Sequence, residues 1–248
     1  MKKIILLVAV LFIVQLSFSQ IQSGEITYKV TTTADYHHWK DSILDANDNE
    51  MAVQFVKKTM KKNEKALPFL ELSLAFNSSA SLFDKPNTLD SDGGVDLNRA
   101  ASGAGMSGVY YTNTDERILL HQFEGIENNW LVRSSLDSLD WKISNETKEI
   151  QGYQCRKATT TVDLNSIKKG EIVAWFAPAL PFQFGPMGFA GLPGMILGLE
   201  RNHRYFYADK IKLSEQKKNI KTPTKGKAVS LTEYNQAMKD WEEKRLRE

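Results

Sequence analysis

Apolar and polar residues alternate with a period of two over much of the chain, and the strands this predicts follow one another closely. Residues 24–33, GEITYKVTTT, place Ile26, Tyr28 and Val30 on one side and polar or threonine residues on the other, as in a half-buried strand. The pattern returns at residues 70–76, 79–83, 109–113, 117–123 and 130–134, with a short strand at 141–143. It returns again at 148–162, where Gly152 reads as a bulge or bend. Residues 171–177, 195–199 and 203–213 complete the series, the last two as a hairpin turning at Glu200-Arg201-Asn202. Strands joined by short turns pair antiparallel. The expected fold is mainly β: a large curved antiparallel sheet, half-barrel-like, with one inserted helix and a C-terminal amphipathic helix.

The helices show a different period. Residues 47–65 carry an apolar stripe of Met51, Phe55, Val56 and Met60, with Asn47 and Glu50 spaced as a capping box. Lys57, Lys58, Lys61, Lys62 and Lys65 gather toward its end, where cations suit the helix dipole and face solvent. Ser230 and Glu233 form a second box before a helix over 230–247, whose Leu231, Tyr234, Met238 and Trp241 share one face that docks on the sheet. Residues 84–107 lose all periodicity and read as a long flexible loop, and residues 214–229 as a basic, exposed connector. The stretch YHHW at 36–39 reads as strand, which sends His37 and His38 to opposite faces.

Residues 172–199 carry no charge yet hold Pro178, Pro181, Pro186 and Pro193. Each proline removes a backbone donor, so no continuous helix can run through the stretch to span a bilayer. It reads instead as a strand at 172–177 buried on both faces, an ordered apolar loop at 178–194, and a strand at 195–199. The loop either plugs the open end of the sheet or stays partly open. In the open case Phe182, Phe184, Met187, Phe189 and Leu192, with Trp175 on the preceding strand, would line a groove for a hydrophobic ligand or an envelope protein.

Composition changes this picture little. Apolar residues make up 42% and charged residues 25% of 248, enough for one sizeable core, so residues 20–248 are expected to form a single domain. Lys2, Lys3, an apolar run at 4–14, and Ser17 and Ser19 read as a signal peptide over 1–19, cleaved before Gln20. The expected location is the periplasm, the outer membrane surface or the medium, with no transmembrane segment in the mature chain. Removing Lys2 and Lys3 balances the charges, so no global field draws the protein to nucleic acid or to an anionic membrane. The single cysteine, Cys155, forbids an intrachain disulfide and reads as a small buried hydrophobe.

Candidate chemistry is sparse. His37, His38, His121 and His203 are scattered, and there is no H-E-x-x-H, paired-cysteine or nucleophile-elbow motif. Gly103-x-Gly105-x-x-Gly108 matches a dinucleotide fingerprint in spacing but lacks the strand before it and the helix after it. No cofactor, metal site or catalytic residue is expected. A hydrolase, or a metal-related module joining His37 or His38 to His121, stand as alternatives to a non-catalytic binding protein.

Gly191-Leu192-Pro193-Gly194-Met195-Ile196 resembles the name-giving motif of the GLPGLI family of exported Bacteroidetes proteins, with Met in place of the second leucine. Trp141-x-Ile143, the block from Glu146 to Ala158 around Gly152-Tyr153-x-Cys155, Ala174-Trp175-Phe176 and Phe184-Gly185-Pro186 extend the resemblance. Ala179-Leu180-Pro181 departs from it, because an acidic residue is expected there. The resemblance implies an exported β-rich protein of unassigned activity and brings no catalytic residues.

Overall fold

The computed structural model describes residues 21–46, 48–86, 96–125, 128–163 and 169–247. The expected signal segment 1–19, the cleavage point at Gln20 and Asn47 lie outside them. Among the described residues twelve strands form one open sheet. They are β1 (Ser23–Thr32), β2 (Glu71–Asn77), β3 (Ala80–Asp84), β4 (Val109–Asn113), β5 (Ile118–Glu124), β6 (Asn129–Ser135), β7 (Lys142–Ile150), β8 (Tyr153–Asp163), β9 (Lys169–Ala177), β10 (Met195–Arg201), β11 (Arg204–Ser214) and β12 (Lys227–Ser230). The order is β12-β6-β5-β4-β3-β2-β1-β11-β10-β9-β8-β7. Two meanders therefore meet where β1 pairs β11, from Ser23 opposite Ser214 to Thr32 opposite Arg204, with a one-residue register shift between Thr27 and Tyr28. All neighbours are antiparallel except β12, which lies parallel on β6.

Connectivity forces the curvature. β6 and β7 are consecutive in the chain but ten spacings apart in the sheet. A flat sheet at about 4.8 Å per spacing would separate them by about 48 Å. The link from Ser135 to Lys142 can reach about 25 Å at most. The sheet has to curl until its edges approach, as a half-barrel does.

The inner face holds the core. Ile26, Tyr28 and Val30 on β1, Leu74 and Phe76 on β2 and Phe206 on β11 are at most 2% exposed. What fills the concavity is the uncharged loop 178–194. Leu180, Phe184 and Leu192 are each 1% exposed, and each such side chain contributes roughly 1.5–3 kcal/mol by leaving water. Phe182 meets Phe76 with ring centroids 4.7 Å apart. Backbone N–H groups of Met195 and Ile196 donate to Leu180 and Phe184, which ties the loop to β10. Tyr28 donates its hydroxyl to the Ile196 carbonyl at 2.6 Å, and Trp141 Nε1 donates to the Ala190 carbonyl at 2.9 Å. These bonds give the loop's polar groups partners inside the core, which an irregular buried backbone requires.

Four helices accompany the sheet among the described residues: α1 (Tyr36–Asp45), α2 (Glu50–Ala66), α3 (Leu97–Gly103) and α4 (Leu231–Arg247). The mainly β fold with a curved sheet and a C-terminal helix is as the sequence pattern predicts, but three helices precede the last one where one was expected. Several details differ. YHHW opens α1 rather than a strand, because Thr33 and Asp35 turn the chain and the Tyr36 N–H donates to the Thr33 carbonyl. The cap of α2 is Asn49, whose side chain accepts from Ala52 N at 3.1 Å. Its inward stripe is Val53, Val56 and Met60, all half-buried, while Met51 and Phe55 point to solvent. The segment 84–107 contains α3, capped by Asp96. Residues 142–163 are a hairpin turning at Gln151 and Gly152, both at positive φ, rather than one bent strand. β9 is buried on one side only, since Val173 and Trp175 remain half-buried.

The basic connector is exposed but pinned. The Gln216 carbonyl accepts from Ser23 Oγ, the Lys218 carbonyl accepts from Asn77 Nδ2, and Lys218 pairs with Glu25 at 2.8 Å. Ile220, with Leu82 and Leu131, packs against the cluster of Ala80, Tyr111, Ile118 and Leu120 on the outer face. The connector so crosses the outside of the first meander and delivers β12 to β6. The capping box of α4 is formed as expected: Glu233 accepts from Ser230 N, and Ser230 Oγ accepts from Glu233 N.

The plug's glycines differ in a testable way. Gly191 sits at φ +89 with open space where a Cβ would lie, whereas at Gly194 a Cβ would come within 2.3 Å of the Ala177 carbonyl oxygen. Gly191→Ala should cost only the left-handed strain, about 1–2 kcal/mol. Gly194→Ala should cost clearly more, because backbone has to move. Tyr28→Phe should cost about 1–3 kcal/mol by leaving a buried carbonyl unpaired. Denaturant midpoints of the three variants measure this order.

Candidate functional site

The sequence-predicted groove residues do not stay together. Phe182, Phe184, Met187, Phe189 and Leu192 are between 1% and 8% exposed and belong to the plug. Trp175 lies on the other face of β9, alternating with buried Ala174 and Phe176. There the ammonium of Lys148 sits 4.2 Å from the Trp175 ring centroid and 4.5 Å from that of Tyr205. Gly198 leaves the room, since a Cβ on it would come within 2.7 Å of Tyr205 Oη. Burial lowers the Lys148 pKa. The cation and the two ring faces attract one another, so this cluster reads as an outer-face brace, although the buried Trp175 Nε1–H finds no acceptor among the described residues. Cys155 is fully buried, and burial pushes its thiol up to about 11, far from a nucleophile's range.

Ser107 and His121 come together although the sequence separates them. Ser107 Oγ is 3.4 Å from His121 Nε2, but the Ser107 carbonyl oxygen is 2.6 Å from the same nitrogen. A carbonyl only accepts, so Nε2 carries the proton and cannot act as a base toward Oγ. His121 is stacked between Tyr110 and Phe123 at 4.0 and 4.4 Å. Burial drives its pKa down to about 4. It is a neutral structural histidine.

A denser constellation forms where α1 follows β1 beside the β10–β11 turn. Asp35 occupies the N-cap position of α1 but makes no cap bond. Its carboxylate instead accepts from Thr33 Oγ1 and lies 2.8 Å from His203 Nδ1. His203 and Asn202 form the turn, both with positive φ, where glycine is the favoured residue. Trp39 stacks on the His203 ring at 4.6 Å. One helical turn away, Tyr36 donates its hydroxyl to Glu64 at 2.9 Å, and Lys40 pairs with the same oxygen at 3.1 Å. The Arg204 guanidinium lies 4.5 Å from the Tyr36 ring centroid. Arg204 is 6% exposed, and its Nε and Nη1 find no acceptor among the described residues. A cavity of about 140 Å³ opens here, lined in part by Thr32, Tyr36, His37, Glu64 and Pro68.

The electrostatics suit polar recognition. The Thr33 hydroxyl, and after it His203, hold the Asp35 carboxyl below its usual range. Burial opposes the ionisation of Glu64, but the hydrogen bonds from Tyr36 and Lys40 outweigh it and leave its pKa lowered. Burial, then the hydrogen bond it donates to Glu64, raises the Tyr36 phenol. Asp35 fixes the His203 tautomer with its proton on Nδ1, which leaves the Nε2 lone pair to accept a hydrogen bond. A larger basin of about 520 Å³ near Arg117, Arg133 and Asp137 has only an exposed ion pair as its chemistry. His37 and His38 lie on α1 and His121 on β5, and among the described residues no three His, Cys, Asp or Glu side chains are placed to hold a metal ion. The glycine fingerprint spans the end of α3 and the start of β4, the reverse of the strand–helix order that holds a pyrophosphate.

Sequence reasoning missed Asp35, Tyr36, Trp39, Lys40, Glu64 and Arg204. The spacing of Tyr36, Trp39 and Lys40 would have marked one helix face had the stretch been taken as helical.

His121 makes stability pH-dependent. Its folded pKa lies below the ordinary 6.5, so the unfolded chain binds more protons between about pH 6.5 and 4. Stability is full above that window and falls as pH drops through it, by about 3 kcal/mol at most. Melting temperatures across pH 4–7 should show a slope that flattens in His121→Gln.

The comparisons with known proteins can now be placed on this geometry. The family described as N-glycanase peptide, N-terminal domain, matches residues 126–236, fewer than half of the chain. That match includes the plug and His203 and Arg204 but not α1 or α2. Two solved structures of PNGF-II, in the P21 and C2 space groups, align at 16% and 17% identity with a TM-score of 0.50 each. They cover 87% and 88% of this chain but 32% of their own, so the chain spans about a third of the length of the structures it matches. No curated protein matches. The similarity is one of fold.

Proposed function

We propose that this chain is an exported, non-catalytic envelope protein, GLPGLI-like in sequence, that recognises glycan on a protein partner through the α1 site. The observation that carries the reading is the gathering of Asp35, Lys40, Glu64, His203 and Arg204 around Tyr36 and Trp39, beside a cavity that Tyr36 and Glu64 of this cluster help to line. Convergent polar groups beside an aromatic face are what a hydroxyl-rich ligand with apolar C–H faces requires; Tyr36 is fully buried, so the half-buried Trp39 supplies that face. The cavity is about half the smallest usual small-molecule pocket of roughly 300 Å³, so it admits a protruding acetamido or hydroxymethyl group rather than a whole sugar. The likeness to an N-glycanase N-terminal domain supports a glycoprotein as the source.

A second reading has one observation in its favour. The Asp35–His203 pair has the geometry of an oriented general base, which a hydrolase would use on a water molecule.

Calorimetric titration with an N-linked glycopeptide and its sugar-free counterpart separates the readings. Binding should require the glycan, and Trp39→Ala should weaken it at least tenfold, by about 1.4 kcal/mol. Equal binding of both peptides sinks the recognition reading, and release of free sugar, detected by mass, establishes the hydrolase.

His203→Gly tests the site without unfolding it. Relief of about 1 kcal/mol of turn strain offsets a hydrogen bond worth about 1 kcal/mol. Stability should stay nearly level while glycopeptide binding falls, as paired thermal melts and titrations would show.

A further inference from the structure

Helix α2 turns its largest apolar residues outward. Met51 is 83% and Phe55 71% exposed, and Phe69, in the 3-10 turn that continues the helix, is 60% exposed. Positions 51, 55, 58, 62, 65 and 69 are spaced four, three, four, three and four, which puts them on one stripe. The stripe therefore has Met51 and Phe55 at one end, Phe69 at the other, and Lys58, Lys62 and Lys65 between. Lys57 and Lys61 flank it. Among the described residues none of these five lysines has a carboxylate partner. Glu64, the acid nearest them on the helix, faces Tyr36 and Lys40 instead.

We propose that this stripe docks the protein on an anionic lipid surface. The face is one convex helix, about 27 Å long at 1.5 Å per residue, which among the described residues presents a ridge rather than a groove to a folded partner. A membrane needs no complementary shape, only charge and a place for apolar tips. Lysines provide the first, and Met51, Phe55 and Phe69 enter the headgroup layer as interfacial helices do. A second copy does not fit, since two such faces would set lysine against lysine. The near-neutral net charge is no obstacle, because attraction at physiological salt acts over a Debye length of about 8 Å and depends on the local cluster. The helix lies on the surface. Among the described residues no helix is long and apolar enough to cross a bilayer.

Vesicle sedimentation tests this on the full mature chain. Vesicles of phosphatidylcholine with about one-third phosphatidylglycerol should bind it, pure phosphatidylcholine should not, and raised salt should release it. Each lysine should contribute about fivefold, so Lys58→Ala/Lys62→Ala/Lys65→Ala should weaken partitioning about a hundredfold. Met51→Ser/Phe55→Ser should weaken it about tenfold or more. All five positions are exposed, and circular dichroism checks that both variants fold. Equal binding to neutral vesicles, no binding at all, or variants that bind like wild type would overturn the proposal. So would binding to soluble polyglutamate as tight as to vesicles, which marks an acidic protein partner. A dimer in solution lost in Met51→Ser/Phe55→Ser would assign the face to self-association instead.

Discussion

The structure depends on the burial of one charge-free loop against the concave face of one curled sheet. A sheet whose two edges are drawn together by the short link from Ser135 to Lys142 encloses a concavity. Left empty, that concavity would expose β1, β2, β9 and β11 to water. Loop 178–194 fills it with aromatic and aliphatic side chains, and its own carbonyls accept from Trp141 and from the N–H groups of β10. Curvature and plug require one another. Neither a flat sheet nor a solvated loop would bury the apolar surface that offsets chain entropy.

This arrangement separates packing from chemistry. The residues that look most distinctive, from Gly191 to Ile196, serve the junction between plug and β10. Leu192, Met195 and Ile196 are almost wholly buried, and Gly194 lies against the Ala177 carbonyl. The ionisable residues gather elsewhere, at the end of the β1–β11 pair where α1 begins. There two local rules are broken together. Asp35 stands at a helix N-cap and does not cap, and His203 holds a left-handed turn position that glycine would occupy without strain. Such departures collect where a side chain has another task. Arg204, buried with two nitrogens lacking acceptors among the described residues, marks the same place.

The outer surfaces carry three different kinds of chemistry. The second meander is braced by Lys148 between Trp175 and Tyr205, and the first is crossed by a pinned connector. Helix α2 presents Met51 and Phe55 to solvent beside lysines that meet no carboxylate among the described residues. A lysine side chain can satisfy an aromatic wall, a carboxylate or a lipid phosphate. Which of these it meets follows from where the helix or strand is set down, not from the lysine itself.

Legibility in the sequence follows physical range. Period-two alternation, turn glycines and the capping box at Ser230 are local, and they determined the strand count nearly completely, the antiparallel class and the terminal helix. Proline spacing determined that residues 172–199 could not be a membrane helix. Everything set by distant contacts escaped. The hairpin at Gln151-Gly152 needs two positive φ values to be distinguished from a bulge. The stripe of α2 had two apolar sides, and only packing chose Val53, Val56 and Met60 for the inside. The candidate site joins Asp35 to His203 and Tyr36 to Glu64 across 168 and 28 positions. Only tertiary structure brings such residues together, because the pairing of the first strand with the last long one sets where α1 meets the β10–β11 turn.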